Sequence, residues 1–253
     1  MPVDAVLLAG QPNIGRLGPV SDSPWEALVP VGRHPMAVWV AQAALGAPSI
    51  RRLAVVGPSE ILEGVPSDRG VVVEPGFAML ENLMRGVDAL GATDPVLVIT
   101  SDIPLVTSAI VEAFVQGAHA QGADFVYPIV PKAAVDEVFG ESRRTYVSLR
   151  EGTFTGGNMI LIRPQQVKRL ATEAASLIAL RKRPFALARR LGIGFLLRFL
   201  LLRPPLSVIE RHFSRLFGLT AKALVIRDAE VGVDIDKPQD LLLCEDLLAR
   251  RGS

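Results

Sequence analysis

The sequence is poor in several residue types, and each shortage excludes a class of protein. Cys244 is its one cysteine in 253 residues, which excludes an internal disulfide framework and a zinc site built from cysteines. Three histidines, His34, His119 and His212, are scattered and lack the spacing of metal ligands. Neither charge dominates, since 27 basic and 26 acidic residues give a formal net charge of +1. Composition therefore predicts no bulk attraction to nucleic acid.

Long uncharged apolar runs are also missing from the sequence. A helix needs about 18 to 20 apolar residues to span a bilayer. The nearest run, GIGFLLRFLLL at 192–202, is interrupted by Arg198. At the N-terminus, MPVDAVLLAG has Asp4 where a signal peptide needs basic residues, and its apolar run is too short. Together with the single cysteine, these features predict a cytoplasmic protein.

The sequence does contain many short aliphatic runs, which alternate with helix-length segments. The apolar runs are aliphatic on both faces, as expected for strands covered by helices on both sides. This alternation predicts an α/β fold with a mainly parallel sheet, whose ligands bind at the carboxyl ends of the strands. Strands are predicted at 5–9, 53–56, 71–73 and 96–100, and helices at 36–45, 80–90 and 108–121.

The second half of the sequence has a different character. Residues 164–219 are predicted to be helical and basic. We predict one domain over 1–253, with this helical excursion inserted before the C-terminal strands. The other predicted elements are strands at 124–130 and 159–162, a hairpin within 144–155, strands at 223–226 and 231–235, and a helix at 238–249.

Five groups of motifs occur in a fixed order along the chain. They are LLAG with RLG close behind, EALVPVGRHPM, TSDIP, TGGN and VDIDKPQDL. The set resembles the nucleotidyltransferases of the glycosyltransferase-A type fold, and most closely the MobA-like group, which includes the molybdenum-cofactor guanylyltransferases. Cytidylyltransferases of isoprenoid synthesis and sugar-1-phosphate nucleotidyltransferases are broader relatives. The resemblance covers 5–162 and 231–247 and implies a Rossmann-like, three-layer α/β/α nucleotidyltransferase fold.

The resemblance also implies a reaction. In such enzymes the phosphate of a sugar, alcohol or cofactor precursor attacks the α-phosphorus of a nucleoside triphosphate, and pyrophosphate leaves. The protein must neutralise charge and hold the attacking and leaving groups in line. Mg²⁺ does much of this work, held by a few carboxylates while it keeps several waters. The implied partners are an NTP and a phosphorylated small molecule.

Two aspartates match the metal-binding carboxylates of the family. Asp102 follows the strand at 96–100, although an aspartate there can equally form a turn or cap a helix. Asp236 matches the second carboxylate. On a strand, Asp234 and Asp236 would share one face because their spacing is two. An N-cap role for Asp236 is an alternative that is compatible with metal binding.

The family's nucleotide site corresponds to the backbone of Leu8, Ala9 and Gly10, which would face the base and ribose. Asn82 lies on the predicted helix close to where relatives place a base- or ribose-contacting residue. A polar residue on a solvated helix face is the alternative for Asn82.

The acceptor side corresponds to TFTGGNMIL. There, Gly156 and Gly157 would permit close substrate approach, and Asn158 could hydrogen-bond an acceptor hydroxyl or phosphate. Otherwise, the two glycines form a β-bulge.

The first loop departs from the family pattern. Its glycines and Arg16 suit phosphate binding, although a surface turn explains them about as well. Where the family has a lysine that meets the triphosphate, this sequence has Glu26. Glu26 could be a further metal ligand, or it could orient Arg16 or Arg33 toward the phosphates. Alternatively, the protein has lost transfer activity and only binds nucleotides or nucleotide sugars.

The excursion from 176 to 219 combines basic residues with a strong apolar face. Because helices that cover a core also need such a face, we predict a lid or a homodimer contact, with at most weak membrane-surface contact through 185–202. A third use is to attract an anionic or lipid-linked acceptor phosphate.

Overall fold

Strands and helices alternate along the first half of the chain, as the sequence predicts. The computed structural model describes residues 1–63, 65, 68–140, 144–180 and 184–251. The strands are β1 Val3–Leu8, β2 Pro30–Val31, β3 His34–Pro35, β4 Ile50–Val56, β5 Gly70–Val73, β6 Val96–Thr100, β7 Phe125–Pro131, β8 Val147–Leu149, β9 Gly152–Gly156, β10 Met159–Ile162 and β11 Ala221–Val225. The helices are α1 Met36–Gly46, α2 Met79–Leu90, α3 Ser108–Ala120, α4 Lys132–Phe139, α5 Pro164–Ala179, α6 Pro184–Leu191, α7 Ile193–Leu202, α8 Leu206–Phe217 and α9 Pro238–Arg251.

One large sheet has the strand order β5-β4-β1-β6-β10-β7-β9-β8, with β11 paired to β7. The first four strands are parallel, whereas β10 runs antiparallel to both β6 and β7. Leu8 at the end of β1 is opposite both Val56 of β4 and Thr100 of β6. The carboxyl ends of these three strands therefore meet at one edge, and the predicted mainly parallel α/β sheet is confirmed.

Two apolar clusters lie on opposite faces of this sheet because its strands are aliphatic on both sides. Leu7 belongs to the cluster that includes Val40 and Phe114 of α1 and α3, whereas Val6 belongs to the one that includes Leu83 of α2. Burying each such leucine or phenylalanine contributes about 1.5 to 3 kcal/mol. The result is the predicted three-layer α/β/α architecture.

Local signals fix the ends of the helices beside the candidate site. The Thr107 hydroxyl accepts a hydrogen bond from Ile110 N at 3.3 Å and so caps the start of α3. Gly91, with φ at 55°, ends α2 in a left-handed conformation that glycine adopts without steric cost. Gly86 lets α2 approach the sheet, since a Cβ there would lie 2.5 Å from Val6 Cγ1.

The predicted strand at 231–235 is wrong. Ala229–Gly232 forms a short 3-10 helix, and residues 233–236 have no regular structure. Glycine and aspartate are depleted in strands, and they interrupt the valines and isoleucine of this segment. Two backbone bonds hold it instead: Asn158 N donates to Val231 O at 2.9 Å, and Ile235 N donates to Asp102 O at 2.9 Å.

The helical excursion is present as predicted, as helices α5 to α8 between β10 and β11. The last helix begins at Pro238, in agreement with the sequence prediction. Helix α4 and the small β2–β3 hairpin were not predicted. Among the described residues, no helix combines the length and apolar character that crossing a membrane requires.

Candidate active site

The carboxyl edge of the sheet brings Gly10 and Asp102 to neighbouring positions. Ala9 N donates to Val56 O at 3.0 Å, and Ser101 N donates to Leu8 O at 3.2 Å. The strand pairing thus continues one residue beyond β1 and β6. Both residues lie where α/β sheets bind ligands.

Asn82 fixes a turn against Gly10. Its Oδ1 accepts a hydrogen bond from Gly76 N at 2.6 Å, and the side chain is only 7% exposed. A Cβ at Gly10 would lie 2.4 Å from Pro75 Cβ and 3.3 Å from Asn82 Nδ2. The alternative of a solvated helix face for Asn82 is therefore wrong. Leu8, Ala9, Gly10 and Asn82 do lie together, and their contact with a nucleotide stays a prediction.

Acidic side chains surround the end of β6. Burial, together with the nearby Asp234 and Asp236, raises the pKa of Asp102 to about 6 against the lowering effect of a hydrogen bond from Thr100. Thr100 Oγ1 donates to Asp102 Oδ1 at 2.5 Å. The pKa of Glu26 is also raised, by burial and then by Asp236. The site therefore contains carboxylates that repel one another.

Arg144 compensates one of these carboxylates. Its guanidinium forms an ion pair with the Asp234 carboxylate and donates to the backbone oxygens of Gly232 and Asp234, both at 2.9 Å. Asp234 is thus held by the fold. Among the described residues, no three His, Cys, Asp or Glu side chains come together closely enough to hold a metal ion by themselves.

Asp236 is exposed and lies before the last helix. Since α9 begins at Pro238, Asp236 is not at the N-cap position, and its backbone N–H donates to Asp240 Oδ2 at 3.2 Å. The carboxylate of Asp240, on the helix, thus binds the backbone of Asp236, the reverse of the predicted cap. Because the segment is not a strand, the predicted common face of Asp234 and Asp236 is also lost.

Glu26 lies against the first loop, and none of the described arginines forms an ion pair with it. Its backbone N donates to Gln11 O at 3.0 Å, and a Cβ at Gly15 would lie 2.8 Å from Glu26 Oε1. Arg16 is exposed and forms no ion pair with a described acid. The Arg33 guanidinium carbon lies 5.1 Å from the centre of a Trp39 ring. In the described residues, Glu26 therefore orients neither arginine, and Asp236 is its charged neighbour.

The acceptor-side glycines form the bulge that the sequence left as an alternative. Ile129 of β7 pairs with Gly156, whereas Val126 pairs with Leu161, so β7 advances three residues while the partner advances five. A Cβ at Gly157 would lie 2.7 Å from Val231 Cγ1. The Asn158 side chain donates to Val231 O at 3.3 Å. Its contact with an acceptor stays a prediction.

Comparison with known proteins decides the family. The family model of the MobA-like NTP transferase domain matches residues 5–172. The chain belongs to the MobA-like NTP transferase family. Its match spans Gly10, Asp102 and the acceptor-side bulge and ends within α5. No curated protein compared with the sequence matches it.

Solved structures resemble this MobA-like NTP transferase over nearly their whole length. A hypothetical transferase from Thermus thermophilus is 38% identical, with a TM-score of 0.80 and 95% of this chain and 100% of that chain covered. A CMP:2-keto-3-deoxy-manno-octonic acid synthetase complexed with CTP is 11% identical, with a TM-score of 0.63 and 99% and 100% covered. A 4-diphosphocytidyl-2C-methyl-D-erythritol synthase from Anaerococcus prevotii is 12% identical, with a TM-score of 0.60 and 98% and 99% covered. The latter two share the fold.

The MobA-like NTP transferase also has a cavity of about 960 Å³ that sequence reasoning missed. It extends from Asn158 and Asp234 across the face of β7 to α8. Alternating Phe125, Tyr127 and Ile129 were visible in the sequence as one strand face. The free space above them depends on the packing of the excursion, for which the sequence contains no local signal.

Proposed function

We propose that this MobA-like NTP transferase transfers an NMP group from an NTP to a phosphorylated small molecule, such as a sugar phosphate, an alcohol phosphate or a cofactor precursor. One observation carries the proposal. The glycine backbone at Gly10 lies at the same edge of the sheet as the acidic cluster around Asp102. An oxygen of the acceptor phosphate attacks the α-phosphorus. The bond from that phosphorus to the β-phosphate oxygen breaks, and pyrophosphate leaves with the electron pair.

The nucleotide lies, in this proposal, on the backbone of Leu8, Ala9 and Gly10. Any side chain at position 10 would collide with Pro75, so glycine lets Pro75 and Asn82 pack directly against this backbone and places Asn82 beside the proposed nucleotide. The Asn82 Oδ1 already binds Gly76, so the Nδ2 donor is the group directed to the nucleotide. Rigid strand ends hold these groups in place before the ligand arrives.

The residues fit a magnesium ion. Asp102 and Asp236 are close enough to repel each other, and a cation would relieve that repulsion. Mg²⁺ is typically held by one or two protein carboxylates, with water and substrate phosphates as its other ligands, which agrees with the absence of a larger set of described ligands. When bound, the ion would neutralise charge on the triphosphate.

Arg16 is the cation that we propose in place of the family lysine. It is exposed at the tip of the glycine-containing loop, and its guanidinium forms no ion pair with the described acids. Glu26 lies at the base of the same loop, near Asp236. We assign Glu26 to the reacting site, where its carboxylate would help to hold the cation that accompanies the triphosphate. Gly156, Gly157 and Asn158 border the acceptor.

A non-catalytic nucleotide- or nucleotide-sugar-binding module is the second candidate function. It is favoured by one observation: Glu26 puts a carboxylate where the family has its lysine. We further propose a cytoplasmic location. We also propose a single domain over 1–253, because one sheet contains both β1 and β11, and Cys244 of α9 packs in one apolar cluster with Val31 and Leu105.

Thermal shift and turnover together distinguish these functions. NTPs and nucleotide sugars are screened with and without Mg²⁺, since a ligand at one hundred times its Kd stabilises the fold by about 2.7 kcal/mol. Pyrophosphate release is then measured with sugar and alcohol phosphates. An enzyme is stabilised by a specific Mg-NTP and releases pyrophosphate with an acceptor. Stabilisation without release across all pairs supports the binding module, and no stabilisation by any nucleotide contradicts both functions.

A further inference from the structure

The large cavity has an apolar body that the proposed reaction does not use. Its volume of about 960 Å³ is near the upper end of the range for ligand sites, which is about 300 to 1,000 Å³. Phe125, Tyr127 and Ile129 form its floor on β7, and the β8–β9 hairpin and α8 form its sides. Phe154, Phe199, Leu206, Ile209 and Phe213 contribute further apolar lining.

Tyr127 shows that the sheet face is uncovered at this point. Strand β7 is paired on both edges, by β10 and β9 on one side and by β11 on the other. Phe213 of α8 covers the beginning of the strand, where its ring centre lies 5.2 Å from that of Phe125. Two residues later Tyr127 is 36% exposed. An aromatic side chain in the middle of a sheet thus faces open space where a ligand could pack.

The charged side chains in the body of the cavity neutralise one another. Glu210 and Lys222 form an ion pair at 3.0 Å, and Glu210 Oε1 also accepts from Ala223 N at 3.0 Å. Arg144 is paired with Asp234. A polar ligand would lose water here without gaining a new partner, whereas a hydrocarbon chain gains from leaving water.

The lining becomes polar at the end next to the candidate active site. Asn158, Asp236 and Lys237 line that end, and Gly156 and Gly157 border it. Apart from Lys237, these are residues that we assigned to the acceptor and the metal. A ligand in the cavity would therefore have its polar end at the reacting site and its apolar part above β7.

We propose that the acceptor is amphiphilic, namely the phosphate monoester of a long-chain alcohol, with its phosphate beside Asn158 and its hydrocarbon chain in the cavity. This inference rests on the proposed function and specifies its acceptor. The acceptor phosphate oxygen forms a bond to the α-phosphorus while pyrophosphate departs, and the hydrocarbon chain is unchanged.

Helix α7 provides an exit for chains that are longer than the cavity. Phe199 lines the cavity, and Leu202, three residues later, lies on the same helix face. Leu202 is 68% exposed, and its neighbour Leu201 is 75% exposed. An apolar path thus continues from the cavity to the surface.

The test measures binding of butyl, octyl and decyl phosphate by calorimetry, with Mg²⁺ and without NTP, below their micelle concentrations. We expect affinity to rise by about threefold to fourfold for each added methylene group that the cavity accommodates. Ile209→Trp fills the cavity and should weaken decyl phosphate binding at least tenfold. Ser207→Trp, on the exposed side of the same helix, is the matched control and should bind as wild type.

A second filling variant, Ala223→Leu, serves if Ile209→Trp fails to fold. Affinity that is independent of chain length, or an equal loss in the Ile209 and Ser207 variants, overturns the inference. Decanol that binds as tightly as decyl phosphate also overturns it, because the phosphate end then has no role. Dimerisation that Ile209→Trp abolishes, without alkyl phosphate binding, assigns the cavity to a second copy of the chain.

The result is separable from the proposed function because binding is measured without NTP. Chain-length-dependent binding with no pyrophosphate release supports the cavity assignment and contradicts the transferase. Pyrophosphate release with sugar phosphates, without alkyl phosphate binding, supports the transferase and overturns the amphiphilic acceptor.

Discussion

Asp102 is a partly buried carboxylate with acidic neighbours, and their mutual repulsion destabilises the protein when no cation is bound. We predict that Asp102→Asn abolishes the Mg²⁺-dependent stabilisation by NTP. Asparagine can still accept the hydrogen bond from Thr100, so the fold is kept. Removing the charge should also increase the free energy of unfolding of the unliganded protein, by about 1 to 2 kcal/mol. Thermal and urea unfolding with and without Mg-NTP measure both effects.

Asp68→Asn is the matched control for this prediction. Asp68 is exposed and precedes β5 at the amino end of the sheet, away from the carboxyl edge. It should change neither the Mg-NTP response nor the stability of the unliganded protein. If Asp102→Asn binds Mg-NTP as well as wild type, Asp102 is not a metal ligand.

Asn82 has two polar groups with separable roles, and two substitutions distinguish them. Asn82→Asp keeps an acceptor for Gly76 N but loses the Nδ2 donor, so we predict near-normal stability and at least tenfold weaker NTP binding. Asn82→Leu removes both groups and should cost about 1 to 3 kcal/mol, because a buried N–H loses its acceptor. Urea unfolding and NTP titration provide the two measurements. Unchanged NTP affinity in Asn82→Asp contradicts a nucleotide contact.

Glu26 lies near Asp236, and this acidic neighbour determines the effect of a lysine at position 26. We predict that Glu26→Lys pairs with Asp236 and therefore competes with the metal, which lowers Mg-NTP affinity. Glu26→Gln removes the charge without adding a cation and serves as the control. Pyrophosphate release is measured across NTPs and acceptors for all three proteins. A wild type inert on every pair, with turnover by Glu26→Lys, would favour the binding-only module.

For single residues, the sequence predicts the place of a side chain in the fold better than it predicts which side chains it contacts. Gly10 and Asp102 follow strands whose parallel order is visible from alternating apolar runs, so their meeting at one edge is predictable. The pairing of Arg144 with Asp234, and the position of Glu26 beside Asp236, depend on segments far apart in the chain. Asn82 resembles any polar residue on a helix until the turn at Gly76 folds onto it.

Among the elements, α7 and α8 meet through an aromatic stack that contains a histidine. The His212 ring lies 3.6 Å from the Phe195 ring, centre to centre, and the two are nearly parallel. Burial lowers the pKa of His212 below its usual value of 6.5. Since the unfolded chain then binds the proton more tightly, stability falls as the pH decreases from 6.5 through the folded-state pKa.

We predict that His212→Phe reduces this loss of stability between pH 7 and pH 5, because phenylalanine keeps the stack and cannot take up a proton. Any other effect of removing the ring nitrogens changes the free energy of unfolding by the same amount at all pH values. Urea unfolding across this pH range separates the changed slope from the constant offset. A slope identical to wild type contradicts the role of His212.

The helices and strands were predicted correctly where the apolar runs in the sequence are long and uninterrupted. Strands β1, β4 and β6 and helices α1 to α3 follow such runs closely. The predicted strand at 231–235 failed because its valines are separated by glycine and aspartate, and packing against Asn158 and Asp102 fixes this segment in another form. The cavity above β7 was beyond prediction, because an empty volume depends on four helices that pack around it.

The whole molecule presents part of its apolar surface on α7. Ile193, Leu201 and Leu202 are 58%, 75% and 68% exposed, whereas much of α8 is covered. We predict only weak flotation with anionic liposomes, because the exposed apolar side chains in the described part of α7 would bury little area in a membrane. Strong, salt-sensitive flotation that disappears in Leu201→Ser/Leu202→Ser contradicts this prediction. Val71→Ser/Val72→Ser, on exposed β5, is the matched control.

The bond from Ile235 N to Asp102 O has a consequence for the order of folding. It joins the end of an early strand to the last part of the chain, and the bond from Asn158 N to Val231 O joins the bulge to the same segment. Such distant contacts form late, since a long loop must close before they contribute. During synthesis, the sheet around β1 can therefore form before Asp236 has left the ribosome, and the acidic site is completed only after that sheet.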